Sequence, residues 1–453
     1  MKIQEYIGQH KNRFLEELFS LIRIPSISAH TDKLPEMKKC AERWKELLLE
    51  AGADTAEILP TKGNPVVYGE KILDKNFPTV LVYGHYDVMP AEPLEQWESK
   101  PFEPQIRNNK IYARGADDDK GQSFIHAKAF EYLAKTNQLK CNVKFLLEGE
   151  EEIGSPNLEA FCAANKELLA CDTILVSDTS MLAKDTPSIT TGLRGLAYWQ
   201  IEVTAASRDL HSGLFGGAVA NPIIELSKII TQLINNDGKI TIPHFYDDVE
   251  EVSKEERDLI AQIPFDEDAY KKSLDIKEVF GEKGYSTIER TGIRPSLDVC
   301  GIWGGYTGEG SKTILPAKAY AKLSTRLVPN QKPEKISKIV ADYITKIAPE
   351  YVDVKVSWLH GAEGYVCPID SDIYRAAERA YGKVFGKRPL PVRSGGSIGV
   401  IPVFERVLGV KPILMGFGLE SDAIHSPNEN FSVELFEKGI ETIVAFYEEV
   451  AAL

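Results

Sequence analysis

Apolar positions recur along the chain with two different periods. Tyr6, Ile7, Phe14, Leu15, Leu18, Phe19 and Ile22 fall at roughly helical spacing and the pattern stops at Pro25, which predicts an amphipathic opening helix. A second helix is predicted over about Glu36 to Ala51, closed by Gly52. The run Thr79-Val80-Leu81-Val82-Tyr83-Gly84 is short, β-branched and nearly all apolar, the composition of a strand covered on both faces of a parallel sheet. Helix and strand patterns then alternate: helix over Gly121 to Ala134, strand over Asn142 to Leu147, helix over Asn157 to Asn165, strand over Thr173 to Val176. That alternation indicates an α/β domain with crossover connections.

The character changes around Gly192-Leu193-Arg194-Gly195. Strand patterns at Leu196 to Ala205, Ala319 to Val328 and Asp353 to Leu359, with helices at Pro222 to Ile234 and Pro333 to Ile347, predict a compact α+β insert over 193–362. A charged stretch between about Asp237 and Arg290 reads as a peripheral elaboration of it. Beyond it, a helix over Ser371 to Phe385, a strand over Lys411 to Met415 and a C-terminal helix over Val433 to Val450 rejoin the opening portion. The expectation is therefore an α/β fold of two domains: 1–192 with 363–453, mainly parallel sheet flanked by helices, and the insert.

The 453 residues suffice for a large core, and 26% charged with 43% hydrophobic residues is ordinary globular usage. Fifty-three basic against 67 acidic side chains leave a net charge of −14, which argues against nucleic acid as a partner. Six cysteines without a Cys-x-x-Cys pair support neither a structural zinc nor a disulfide framework. The opening residues lack a signal-like apolar stretch and no membrane-length apolar run occurs, so a cytoplasmic protein without membrane association is expected.

Five segments place imidazoles or carboxylates just beyond predicted strands or at a helix start. They are GHYDVMP with His85 and Asp87, GADDDKG with Asp117, Asp118 and Asp119, EGEEEIGS with Glu148, Glu150, Glu151 and Glu152, VSDTS with Asp178, and AIHSPNEN with His425. Each has a plain structural reading: a surface pair, acids favoured at a helix N-terminus, a solvated acidic run, a loop cap, a turn histidine. Together at the strand exits of one predicted sheet they point to a common site. A neutral imidazole is a good zinc or manganese ligand, a carboxylate has two oxygens with which to bridge two cations, and a second carboxylate can act as general base.

These motifs, with DLHSGLFGG and STRLVP between them, resemble those of the M20 di-metal peptidases, in particular the branch of carnosine-type cytosolic dipeptidases, over nearly the whole chain. The resemblance implies a catalytic domain interrupted by a lid that mediates homodimerisation, and two divalent ions per subunit, zinc or manganese, with cobalt as an in vitro substitute. It implies that Asp118 bridges the ions, that His85 and Asp178 complete one site and Glu152 and His425 the other, and that Asp87 orients His85. Glu151 would be the general base, in a register fixed by Ile153-Gly154-Ser155, and the peptide bond after Asp118 is often cis in the family. His211 would reach the active site of the partner subunit and stabilise the oxyanion. Arg326 would bind the substrate's terminal carboxylate as a bidentate fork, helped by Gly395, Gly396 and Ser397. The implied activity is hydrolysis of the amide bond of dipeptides or short peptides by ion-activated water. An N-acyl amino acid deacylase or desuccinylase with the same centre, and a non-catalytic peptide or metal binder, are the alternatives.

Overall fold

The computed structural model describes every residue from Met1 to Leu453 except Ser397. The chain forms two compact units: Met1–Thr191 with Cys367–Val392 and Gly399–Leu453, and Gly192–Val366 with Arg393–Ile398. The short stretch 393–398, which sequence reading leaves with the outer segments, clusters with the inserted unit.

The opening helix is α1 (Ile3–Ile22), whose buried Tyr6, Ile7, Phe14, Leu15, Leu18 and Ile22 are the apolar stripe of the sequence. It is followed by α2 (Leu34–Ala51), ended by Gly52 at φ 114°, a left-handed cap suited to glycine. Strands β1 (Thr55–Leu59), β2 (Val66–Lys71) and β3 (Thr79–His85), helix α3 (Lys120–Lys135), strand β4 (Asn142–Glu148), helix α4 (Leu158–Ala164) and strands β5 (Thr173–Val176) and β6 (Ser188–Leu193) complete the first segment. The inserted unit contributes β7 (Gly195–Thr204), α5 (Pro222–Thr231), β8 (Ser296–Gly304), β9 (Lys318–Leu327), α6 (Pro333–Ile347) and β10 (Asp353–Ala362). Then come α7 (Asp372–Phe385), α8 (Val400–Leu408), β11 (Pro412–Leu414) and α9 (Val433–Val450).

In the first unit the strand order runs β1-β2-β4-β3-β5-β11-β6. The centre is parallel, β3 pairing with β4 and β5, and β5 with β11. The flanks are antiparallel, β1 with β2, β2 with β4 and β6 with β11. Every residue of β4 and of β5 is buried, as expected of strands covered on both faces. Helix α3 lies almost wholly inside, with Lys120 and Lys128 buried. Lys120 Nζ donates to the carbonyls of Leu21 and Ile24 at the end of α1, and Lys128 Nζ pairs with Glu17 and Glu131, so each buried ammonium is satisfied. Cys40, Cys141, Cys162 and Cys367 are buried free thiols.

In the second unit the antiparallel order is β8-β9-β7-β10. Residues along β7 and β9 alternate between buried and half-buried, apart from the exposed Lys318 at the start of β9, and α5 and α6 cover one face over Trp199, Ile201, Val203, Leu226, Leu323, Ile336 and Val340. The opposite face carries two aromatic stacks, Tyr198 on His360 at 5.3 Å and Trp303 on Tyr320 at 5.1 Å. The charged elaboration holds three short helices, Lys254–Ile260, Glu267–Ser273 and Thr287–Gly292. Ion pairs fasten it alongside buried Ile240, Ile242, Phe245, Leu259 and Ile260: Arg294 forks onto Glu282 at 2.7 and 2.8 Å, and Arg393 onto Glu256 at 2.6 and 3.0 Å. No helix among the described residues is long and apolar enough to cross a membrane.

Candidate metal centre

The central strands converge on one place. His85 ends β3 and stands in parallel register opposite Glu148, which ends β4. Glu151 and Glu152 follow in a short 3₁₀ turn, and Asp178 lies just past β5. Asp118 precedes α3, and its bond to Asp119 is cis. Gly84 lets α3 approach β3: a Cβ there would fall 1.9 Å from Ser123 Oγ and 2.9 Å from Asp119 Oδ2. That Asp119 oxygen accepts from the Ser123 hydroxyl and from His85 N–H, which ties the start of α3 to the end of β3.

Two trios of donor atoms result, His85 with Asp118 and Asp178, and Asp118 with Glu152 and His425, the atoms of each lying within 4.8 Å of one another. Asp118 belongs to both, and its oxygens divide between them. Oδ1 is 3.1 Å from His85 Nε2, and Oδ2 is 2.8 Å from His425 Nε2, which is also 3.2 Å from Glu152 Oε2. Ligands bound to one tetrahedral ion at about 2.0–2.1 Å stand roughly 3.3 Å apart, close to these separations. His85 Nε2 is fully buried and makes no hydrogen bond among the described residues, although Asp118 is within reach. A buried nitrogen close to an oxygen yet not aligned to donate to it suits two ligands of one cation. The mixed imidazole and carboxylate donors fit zinc or manganese.

The surrounding groups hold these side chains in place. His85 Nδ1 lies 3.0 Å from the backbone carbonyl of Asp87, and the Asp87 carboxylate is farther away, at 3.4 Å. That carboxylate is fully buried, and its hydrogen bonds come from the Glu151 and Glu152 N–H groups at 3.2 and 3.1 Å. The role expected for Asp87 thus widens: it fixes the turn that carries both glutamates, while the backbone at position 87 holds the imidazole. Met89 N–H donates to Glu152 Oε1 at 3.1 Å. The other two acids of the EGEEE run are structural. Glu150 accepts from Asn64 N–H at 3.0 Å and Asn157 Nδ2 at 2.7 Å, and Glu148 accepts from the Tyr83 hydroxyl at 2.6 Å and Ser155 Oγ at 2.8 Å.

Electrostatics separate the acids. Burial favours a neutral Asp118, yet His425 and His85 overcome it and hold Asp118 well below the usual carboxylate range. Burial, with the Asp118 charge beside it, pushes Asp178 well up. Glu151 rises to about 7, through burial first and then the negative charges of Asp118, Glu152 and Asp87, against the pull of His85. A carboxyl tuned to neutrality can both accept and return a proton there.

The remaining candidates lie in the second unit. His211 is exposed in a two-residue strand paired with Ile314–Leu315, and its Nδ1 accepts from Gly213 N–H at 3.0 Å, capping a short helical turn. Arg326 is half-buried on β9, opposite Leu196 and Ser296. The carbonyl of Gly396 accepts from Arg194 N–H at 3.2 Å, and a Cβ on Gly395 would fall 2.9 Å from Arg194 Nη2 and 3.0 Å from the Thr291 carbonyl. Ser397 lies outside the described residues. Two contributors escape sequence reasoning. Glu429, inside the AIHSPNEN motif, is fully buried and accepts from the backbone leading to Asp118, and the Arg393–Glu256 fork lies next to the Gly395–Gly396 turn.

Comparison with known proteins agrees with the geometry. The chain is 31% identical to the Cys-Gly metallodipeptidase of Schizosaccharomyces pombe, over 100% of this chain and 98% of that protein. It is 29% identical to the human Beta-Ala-His dipeptidase, over 100% of this chain and 93% of the relative. Among solved structures, an M20 family metallo-carboxypeptidase from Sulfolobus solfataricus superposes with a TM-score of 0.82 at 34% identity, covering 97% of this chain and 99% of that one. Residues 81–449 match the model of peptidase family M20/M25/M40, and the chain belongs to that family.

Proposed function

We propose that the protein is a metal-dependent dipeptidase, hydrolysing the amide bond of dipeptides or short peptides. The observation that carries this reading is the pair of donor trios sharing Asp118, with Glu151, an acid outside both trios, raised to about 7 beside them. His85, Asp118 and Asp178 would hold one divalent cation and Asp118, Glu152 and His425 the other, zinc or manganese suiting the donors. Such cations, when bound, acidify water and polarise a carbonyl oxygen. Glu151 takes the proton of the attacking water and returns it to the leaving amine, one carboxyl serving both half-steps from a turn held by Asp87. His425, 47% exposed in its side chain, marks where the centre meets solvent.

The finer assignments belong to the same reading. Arg326 is the fork for the substrate's terminal carboxylate, with Gly396 and Ser397 assigned to the same end of the substrate, and His211 is offered to a second subunit's site. The open aromatic face of the second unit's sheet, Tyr198, His360, Trp303 and Tyr320, supports a homodimer through that unit. Buried free thiols are in keeping with a reducing, cytoplasmic setting.

The test is a hydrolysis panel of Cys-Gly, β-Ala-His, a tripeptide, and N-acetyl and N-succinyl amino acids, run with zinc, manganese and cobalt and repeated with a chelator. Chelator-sensitive turnover of the dipeptides is expected. Turnover of the N-acyl amino acids alone would replace the dipeptidase with a deacylase, and no turnover despite cation uptake would leave a binding protein.

A further inference from the structure

We propose that Glu429 is the positioning residue of the shared carboxylate, its buried anion holding the backbone that presents Asp118 against the segment that also carries His425. The inference rests on reading the centre as a two-cation site.

Glu429 is fully buried, and each of its oxygens accepts two hydrogen bonds. Oε1 takes the N–H groups of Asp117 at 3.0 Å and Asp118 at 3.1 Å, and Oε2 takes Gly115 N–H at 3.0 Å and Arg114 Nη1 at 2.7 Å. All four partners are donors, so only the ionised carboxylate satisfies them. A purely structural ion pair would need Arg114 alone. Here three of the four bonds come from backbone N–H groups of the short segment running into Asp118, whose side chain must divide its two oxygens between two cations. Arg114 is itself held, its Nη2 donating to the Pro90 carbonyl at 3.1 Å. The chain around Glu429 is equally fixed: its carbonyl accepts from Ala113 N–H at 3.0 Å, and Asn430 Nδ2 donates to the carbonyls of Asn428 at 3.1 Å and Asp422 at 3.3 Å. His425 lies between those two carbonyls in the chain, at φ 59°. Movement of Glu429 would therefore displace a ligand of both trios and one of the second trio together.

Glu429→Gln tests this, because a carboxamide keeps the shape but offers an acceptor to only one of the two donor pairs and an NH₂ to the other. Cation affinity is read by competition with a chromophoric chelator, using zinc and manganese, and folding by thermal melting in excess chelator. The expected result is a loss of about 10- to 100-fold in cation affinity, the usual effect of removing a group that orients metal ligands. Turnover of Cys-Gly should fall at limiting metal and recover as metal is raised, with KM little changed. A lower melting temperature with wild-type affinity for both cations would make Glu429 a structural ion pair only and overturn the proposal. If the Gln variant does not fold, Glu429→Asp keeps the charge but is a methylene too short to hold both donor pairs, and the same affinity loss is expected; unchanged affinity again overturns it. A wild-type chain that takes up no second cation would sink the reading of the centre itself.

Discussion

Asp87→Asn is the substitution whose consequence the geometry defines most narrowly. The wild-type carboxylate, itself fully buried, uses one oxygen for Glu151 N–H at 3.2 Å and the other for Glu152 N–H at 3.1 Å. Asparagine supplies one oxygen and turns an NH₂ toward the other donor, so one buried N–H is left unpaired and faces a second donor. That costs about 1–3 kcal/mol, or roughly 5- to 150-fold in the local opening equilibrium. His85 should be affected less, because the backbone carbonyl at position 87 remains 3.0 Å from its Nδ1. Hydrogen exchange of the peptide spanning Gly149 to Gly154, followed by mass spectrometry, reads the opening directly, since exchange rates scale with the open population. Exchange should accelerate within that range, with kcat falling as Glu151 loses its fixed position. Unchanged protection at Glu151 and Glu152 would refute the claim that Asp87 holds their turn.

Three further outcomes are expected. Burial raises Glu131, but Arg13 and Lys128 overcome it and lower the acid from 4.5 to about 2. The network therefore contributes about 3 kcal/mol of stability above pH 4.5 that is lost as pH falls toward 2, and Glu131→Gln should flatten acid unfolding curves over that window. His425 is raised to about 10 by Asp118 and Glu152, so cation uptake at pH 7 must displace its proton. Calorimetry in buffers of different ionisation enthalpy should then show proton release and an affinity that weakens as pH falls, and buffer-independent heats would contradict it. Gly84→Ala would force a methyl against Ser123 Oγ and Asp119, and should cost at least about 1–3 kcal/mol in thermal or urea melts together with metal affinity.

Much of the centre is legible in the sequence because the strands that carry it are buried on both faces. Thr79 to Gly84 and Thr173 to Val176 are nearly pure apolar runs, and whatever polar residue follows such a run emerges at the strand end. His85 and Asp178 are readable for that reason. Helices with a clean stripe, Pro333–Ile347 and Val433–Val450, have the boundaries the pattern predicts. What escapes is bonding to backbone N–H groups, which leave no mark in the sequence. Glu429 looks like one more polar residue in a Pro-Asn turn, and Asp87 looks like a partner for the nearby His85 when its hydrogen bonds run to residues 151 and 152. The Arg393–Glu256 fork joins residues 137 positions apart, and the helix Lys254–Ile260 that carries Glu256 is too short and charged to show a stripe.

The central claim is that one carboxylate, Asp118, serves two cations at once. Equilibrium dialysis against zinc and against manganese, with elemental analysis of the protein, measures it directly in the wild type and in Asp118→Ala. Two ions per chain are expected in the wild type, with both sites weakened in the variant, since each trio loses a member. An Asp118→Ala chain that still takes up two ions with wild-type affinity would contradict the account.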